Sequence, residues 1–95
     1  DLRKNSPTYG MHHSVILSEE NNKLFYIPKG FAHGFLSLED NTVFCYKCSG
    51  KYNKSSEESL MWNDMDLKID WSISHPIVSE KDLNAKYFNE FKSKF

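Results

Sequence analysis

Apolar and polar positions alternate through much of the first half of this chain, which predicts strands rather than helices. Met11 to Leu17 alternates and is β-branched in its middle, Glu19-Glu20-Asn21-Asn22 is a polar turn, and Lys23 to Ile27 resumes the pattern. These two runs are expected to lie side by side, antiparallel. After a Pro28-Gly30 turn, Phe31 to Leu38 predicts a third strand, Glu39-Asp40-Asn41 a tight turn, and Thr42 to Cys48 a fourth.

From Ser49 to Ser59 the chain turns to Gly, Lys, Asn, Ser and Glu, which bury little and predict a surface loop over one end of the sheet. Leu60-Met61-Trp62 and Ile69-Asp70-Trp71 then return large aromatics to the body, where core packing is the expected role. Ser79 is a suitable N-cap for a helix whose first turn holds Glu80 and Asp82. The expectation is a single domain over residues 1–95, all-β, a β-meander or part of a jelly roll, with a helical tail over 79–95. Four strands leave sheet edges open, so the second half of a larger barrel is expected, its partner strands coming from elsewhere. The chain also opens at Asp1 rather than Met, and residues upstream are expected.

Charge narrows the partners. Twelve Lys and Arg face thirteen Asp and Glu, a net charge of −1, with no basic stripe to draw a polyanion, so nucleic acid is not expected. No apolar run approaches the roughly 18 residues of a membrane span, and the start lacks a signal-peptide pattern. No membrane partner and a soluble, cytoplasmic protein are therefore expected. Cys45 and Cys48 form a C-x-x-C, but within a strand-like run positions three apart point to opposite faces. Two unpaired thiols are the expected state.

The most informative stretch is Ile27-Pro28-Lys29-Gly30-Phe31-Ala32-His33-Gly34-Phe35. Pro28 fixes φ, Gly30 relaxes the steric limits, and the apolar run from Phe31 presents the His33 imidazole from a rigid turn followed by a strand. Taken with Asp1-Leu2-Arg3, Ser6-Pro7-Thr8-Tyr9-Gly10, Tyr46-Lys47 with Tyr52, Trp62-Asn63-Asp64, Ile69-Asp70-Trp71 and Ser79-Glu80-Lys81-Asp82, this stretch resembles the dTDP-4-dehydrorhamnose 3,5-epimerase family of cupin-like jelly rolls. The blocks follow the family's order along nearly the whole chain.

The resemblance implies an isomerase that inverts C3, C5 or both in a dTDP-4-keto-6-deoxyhexose, within deoxysugar biosynthesis of the dTDP-rhamnose type. A base removes the proton beside the ketone, and an acid returns one to the opposite face. It implies no metal and no organic cofactor, and a homodimer. Position by position, it implies that Tyr46 is the general acid and that Asp82 orients the family's catalytic histidine. His33 then lines the substrate site, Glu57 contacts substrate (Glu58 is adjacent, and a one-residue slip exchanges them), and Lys81 sits near the diphosphate. The family's base, in a Gly-Leu-His stretch, and its enolate-stabilising lysine precede the segment matching Asp1. His12 and His13 fall on a later strand and do not replace them, so these 95 residues alone are expected not to turn over.

Two alternatives stand beside this reading. Pro28-x-Gly30-x-x-His33 also matches a cupin motif whose histidine ligates iron, manganese or zinc, in an oxygenase or a binding module. A silent cupin that binds a nucleotide sugar or only a protein partner would keep the fold-bearing blocks but not need the chemical positions, and the presence of Tyr46, His33 and Asp82 argues against it.

Overall fold

Ser79 accepts a hydrogen bond from the Asp82 amide, the N-cap arrangement its sequence calls for, and starts the one α-helix, α1 (Glu80–Leu83). The computed structural model describes residues 1–95 and adds two single 3₁₀ turns, Lys54–Ser56 and Phe88–Glu90. The stretch 79–95, expected as a helical tail, therefore holds one turn of α-helix and the 3₁₀ turn Phe88–Glu90, with irregular chain around them. Asn84 ends α1, its amide donating to the Asp82 and Lys81 carbonyls while its side-chain amide donates to the Glu80 carbonyl. No helix is long and apolar enough to cross a membrane.

The four segments expected as strands are not paired into a ladder. Only Leu60 and Lys86 form a β-bridge, and it is parallel. The chain makes 18 backbone-to-backbone hydrogen bonds, whereas a folded domain makes about one hydrogen bond per residue, some two-thirds of them between backbone groups. None of the 18 involves residues 31 to 52. The Cα radius of gyration is 14.2 Å, against about 13 Å for a compact domain near this size. The physical reason lies in the faces: a lone hairpin buries too little apolar surface to hold its own ladder. Leu24, Tyr26, Val43 and Tyr46 accordingly stand exposed.

The turns between these segments do form. Asn21 and Ser18 exchange side-chain-to-backbone hydrogen bonds of 3.2 Å in each direction, and the Asn22 amide reaches the Ser18 carbonyl. Phe25 and His13 meet edge to face, with centroids 6.4 Å apart, so the first two segments do approach. At the second turn the Ser37 and Thr42 hydroxyls both donate to the Glu39 carbonyl, at 2.8 and 2.7 Å.

Two polar knots organise what is packed. In the first, the Asp1 carboxylate accepts from the Arg3 guanidinium at 2.9 and 2.7 Å, from the Arg3 amide at 2.9 Å, and from the Ser6 and Thr8 hydroxyls. Arg3 also lies over the Phe31 ring, 4.6 Å from its centroid. Buried Leu2 donates its amide to the Gly30 carbonyl and accepts the buried Ser93 hydroxyl at its own carbonyl, which ties the start, the Pro28-Gly30 turn and the tail together. Gly30 has φ +95°, and a Cβ there would meet Arg3 Cγ at 2.6 Å, so both backbone and space require glycine.

The second knot is Asp64, 4% exposed. Its Oδ1 accepts the Asp66 and Leu67 amides at 2.8 and 2.9 Å, and its Oδ2 accepts the Phe88 amide at 2.7 Å. Burial pushes this carboxyl up, but the three amides together outweigh it and hold it below the ordinary aspartate value. Asp64→Asn is expected to lower stability by about 1–3 kcal/mol at neutral pH, because an amide nitrogen would confront a backbone N–H. A depressed carboxylate contributes above its unfolded value near pH 4 and loses that contribution as pH falls through the folded value. Chemical denaturation from pH 7 to 3 should therefore show wild type losing more stability on acidification than Asp64→Asn.

Candidate functional site

Glu57 and Lys81, far apart in sequence, meet in a direct ion pair. Lys81 Nζ donates to Glu57 Oε1 at 2.6 Å, and Tyr52 Oη donates to Oε2 of the same carboxylate at 3.0 Å. Each partner is placed by local structure. Asn53 caps the turn Lys54–Ser56, its Oδ1 accepting from the Ser55 amide and hydroxyl, and Glu57 follows directly. Lys81 sits in the first turn of α1, set by the Ser79 cap. Glu58 goes elsewhere: its carboxylate faces Lys94 at 3.0 Å and Lys86 at 3.7 Å. The two adjacent acids thus have separate cations, and Glu57 is the one beside Lys81.

This cluster shifts all three of its groups. The hydrogen bond from Lys81, then that from Tyr52, holds Glu57 below the ordinary glutamate range. The Glu57 carboxylate raises both the Lys81 ammonium and the Tyr52 phenol. All three are exposed to water, so the pair is a geometric feature more than a stabilising one. Sequence reading assigns Tyr52 no role of its own. The available signal was a tyrosine in the same polar loop as Glu57, and loop spacing does not say which way a phenol turns.

The remaining residues fall in two other places. Asp82 accepts the Ser79 hydroxyl at 2.7 Å and is held to the start of α1. Tyr46 is 74% exposed, its ring 5.6 Å from that of Phe44, which in turn stacks on Phe35. His33 is exposed, two residues before Phe35. The structure therefore brings Glu57 and Lys81 together and leaves Tyr46 and His33 on open surface, not around an enclosed hollow. A groove of about 430 Å³ does form along residues 62–73, lined by Trp62, Met65, Ile69 and Trp71, with the Trp71 indole donating to the Trp62 carbonyl at 2.7 Å. A second groove is lined by Arg3, Ser6 and Thr8. Neither includes His33 or Tyr46.

For metal chemistry, no group of three or more His, Cys, Asp or Glu is close enough together to hold an ion. Cys45 and Cys48 are unpaired and both exposed. Opposite faces of the strand-like run would put one sulfur inward, but the segment has no interior side and both thiols are exposed.

Comparison with known proteins gives these positions a context. The family model described as dTDP-4-dehydrorhamnose 3,5-epimerase matches residues 1–90. A dTDP-4-dehydrorhamnose 3,5-epimerase of Shigella flexneri is 43% identical over 88 residues, covering 93% of this chain and 49% of the relative. The enzyme of the same name from Methanothermobacter thermautotrophicus is 47% identical over 93 residues, covering 95% of this chain and 50% of its own length. One from Mycobacterium tuberculosis is 35% identical over 96 residues, covering 98% and 48%. The chain thus spans about half the length of the curated relatives it matches. No solved structure matches it.

Carboxylate titration by NMR tests the cluster. Removing the cation in Lys81→Met should raise Glu57 toward the ordinary glutamate value, and Tyr52→Phe should raise it by less. The pair is intact only where both groups are charged. It forms as pH rises through the lowered Glu57 value and is lost as pH rises through the raised Lys81 value. A Glu57 titration insensitive to Lys81→Met would remove the pair from solution.

Proposed function

This chain belongs to the dTDP-4-dehydrorhamnose 3,5-epimerase family, and from that premise we propose that it supplies part of an epimerase acting on a dTDP-4-keto-6-deoxyhexose in deoxysugar biosynthesis of the dTDP-rhamnose type. The observation that carries the reading is the match of the family model over residues 1–90. It favours the epimerase over a metal-binding cupin built on His33, which draws no support from the comparisons.

The proposed chemistry begins beside the substrate's ketone. A base takes the proton from C3 or C5, the C–H electron pair becomes an enolate, and the Tyr46 phenol donates its proton to the opposite face of the same carbon. The phenolate then regains a proton from solvent. A phenol suits this step because it holds its proton near neutral pH yet gives it to a carbanion-like carbon. His33 lines the sugar site. Glu57 and Lys81 form the nucleotide-facing side, where Lys81 has ammonium protons beyond the one it gives Glu57 and a diphosphate can accept them. Asp82 orients the base. The base and the enolate-stabilising lysine belong to the portion of the family sequence outside this match.

On the same reading the fold is an all-β, cupin-like jelly roll in which the unpaired segments 11–17, 23–27, 31–38 and 42–48 become strands once partner strands lie beside them. The complete protein is a cytoplasmic homodimer that needs no cofactor.

The test joins this chain to the complementary half of the Methanothermobacter relative and follows solvent deuterium entering the sugar at C3 and C5. These 95 residues alone should exchange no deuterium. The joined protein should exchange it, and Tyr46→Phe in that protein should slow turnover by about 10²-fold or more while ligand still binds. Absence of exchange in a folded joined protein would overturn the reading.

A further inference from the structure

The third and fourth segments are joined by aromatic rings, although no backbone hydrogen bond connects them. Phe35 and Phe44 lie nearly parallel, 10° apart with centroids 3.9 Å apart. The next ring along that face is Tyr46, its centroid 5.6 Å from that of Phe44 and its plane tilted by 32°. Residues two apart in extended chain share a face, so Phe44 goes with Tyr46 and Phe35 with His33.

Two hairpin registers compete here. A left-handed residue third in the turn is the mark of a bulged three-residue loop, and Asn41 has φ 59°. That loop would oppose Phe35 with Cys45, and His33 with Lys47. Phe35 and Phe44 would then lie on opposite faces, which their stack forbids. The other register opposes 36 with 43, 35 with 44, 34 with 45 and 33 with 46. Directly opposite Cβ atoms lie about 4.5–5.5 Å apart, whereas diagonal ones are about 7–8 Å apart. A stack this close therefore selects the direct pairing.

We infer that Phe44 is a positioning residue for the general acid: by stacking on Phe35 it selects the register that sets the His33 imidazole opposite the Tyr46 phenol on one face. The roles of His33 and Tyr46 rest on the reading above; the register does not. Two rings hold this alignment with no ladder present, and a one-residue slip would carry the phenol to the far side of the sheet. Within this segment, ring stacking does the aligning that backbone hydrogen bonds do elsewhere.

Disulfide trapping tests the pairing directly in the 95-residue chain. With Cys45→Ser and Cys48→Ser as background, one variant carries His33→Cys and Tyr46→Cys, and a second carries His33→Cys and Lys47→Cys. Oxidised glutathione is the oxidant: it takes two electrons from the two thiols, whose protons leave, and is reduced to two glutathione thiols. The bridge between positions 33 and 46 should form about tenfold or more faster than that between 33 and 47, since only opposed positions approach disulfide distance. Adding Phe44→Ala should erase the preference, and Phe44→Tyr, which keeps a flat ring, should retain it. Equal rates, no bridge in either variant, a faster 33–47 bridge, or a preference that survives Phe44→Ala would overturn the inference. Because the trapping needs no substrate, a correct register with no deuterium exchange in the joined protein would overturn the epimerase reading, and with it the catalytic role of the positioned phenol, and leave the register standing.

Discussion

A backbone amide gives up its hydrogen bond to water only when another acceptor is in place, and this requirement decides which parts of the chain are built. Residues 31 to 52 make no backbone-to-backbone hydrogen bond, and nearly all of them are exposed. Alternation, β-branched residues and aromatics favour a pleated surface, but a pleated surface needs neighbours on its edges and something apolar on one face. Where both are lacking, water is the better partner, and the segment keeps its turns without forming a ladder.

What is built depends on carboxylates more than on hydrocarbon. Leu2 is the only buried apolar side chain, and it keeps 7% of its surface exposed. Asp1 and Asp64, by contrast, each gather several donors, and the acceptors they supply replace those a sheet would have offered. A charge-assisted bond is short and directional, so one carboxylate can fix a loop and a distant turn together. Asp64 does this for the 61–71 loop and the Phe88 turn, and it positions the Trp62 and Trp71 groove as a consequence.

Local chemistry was legible in the sequence, and long-range pairing was not. The Ser79 cap, the turns at 18–22 and 39–41 and the special backbone at Gly30 follow from residue types within a few positions of one another. The run of family blocks from Asp1 to Asp82 pointed to the right family, since order along a chain is visible without coordinates. Which edge pairs with which depends on atoms distant in sequence, and alternation alone does not report whether a partner is present. The same limit explains the site. Glu57 and Lys81 could be named separately, but that they share a proton-bonded contact, with Tyr52 on the other oxygen, is a fact of three-dimensional placement. The helix is shorter than its sequence suggests for a different reason: a good N-cap starts a helix but does not prolong it, and Asn84 closes this one by capping carbonyls of its own first turn.

The two halves of the candidate site therefore stand at different stages of assembly. Charged groups find each other across water, since attraction between a lysine and a glutamate needs no interior, and the Glu57-Lys81-Tyr52 cluster is present while its surroundings are open. On the proposed reading Tyr46 must deliver a proton to carbon, and a phenol in that role needs the opposite: a defined face, a fixed direction and exclusion of competing solvent. The Phe35-Phe44 stack supplies direction only, because Tyr46 itself is still wet. On the proposed reading, the portion of the family sequence outside this match brings more than a base. It brings the apolar cover that turns an aligned pair of rings into a cavity, and so the step from ligand contact to chemistry is also the step from a bare hairpin to a closed sheet.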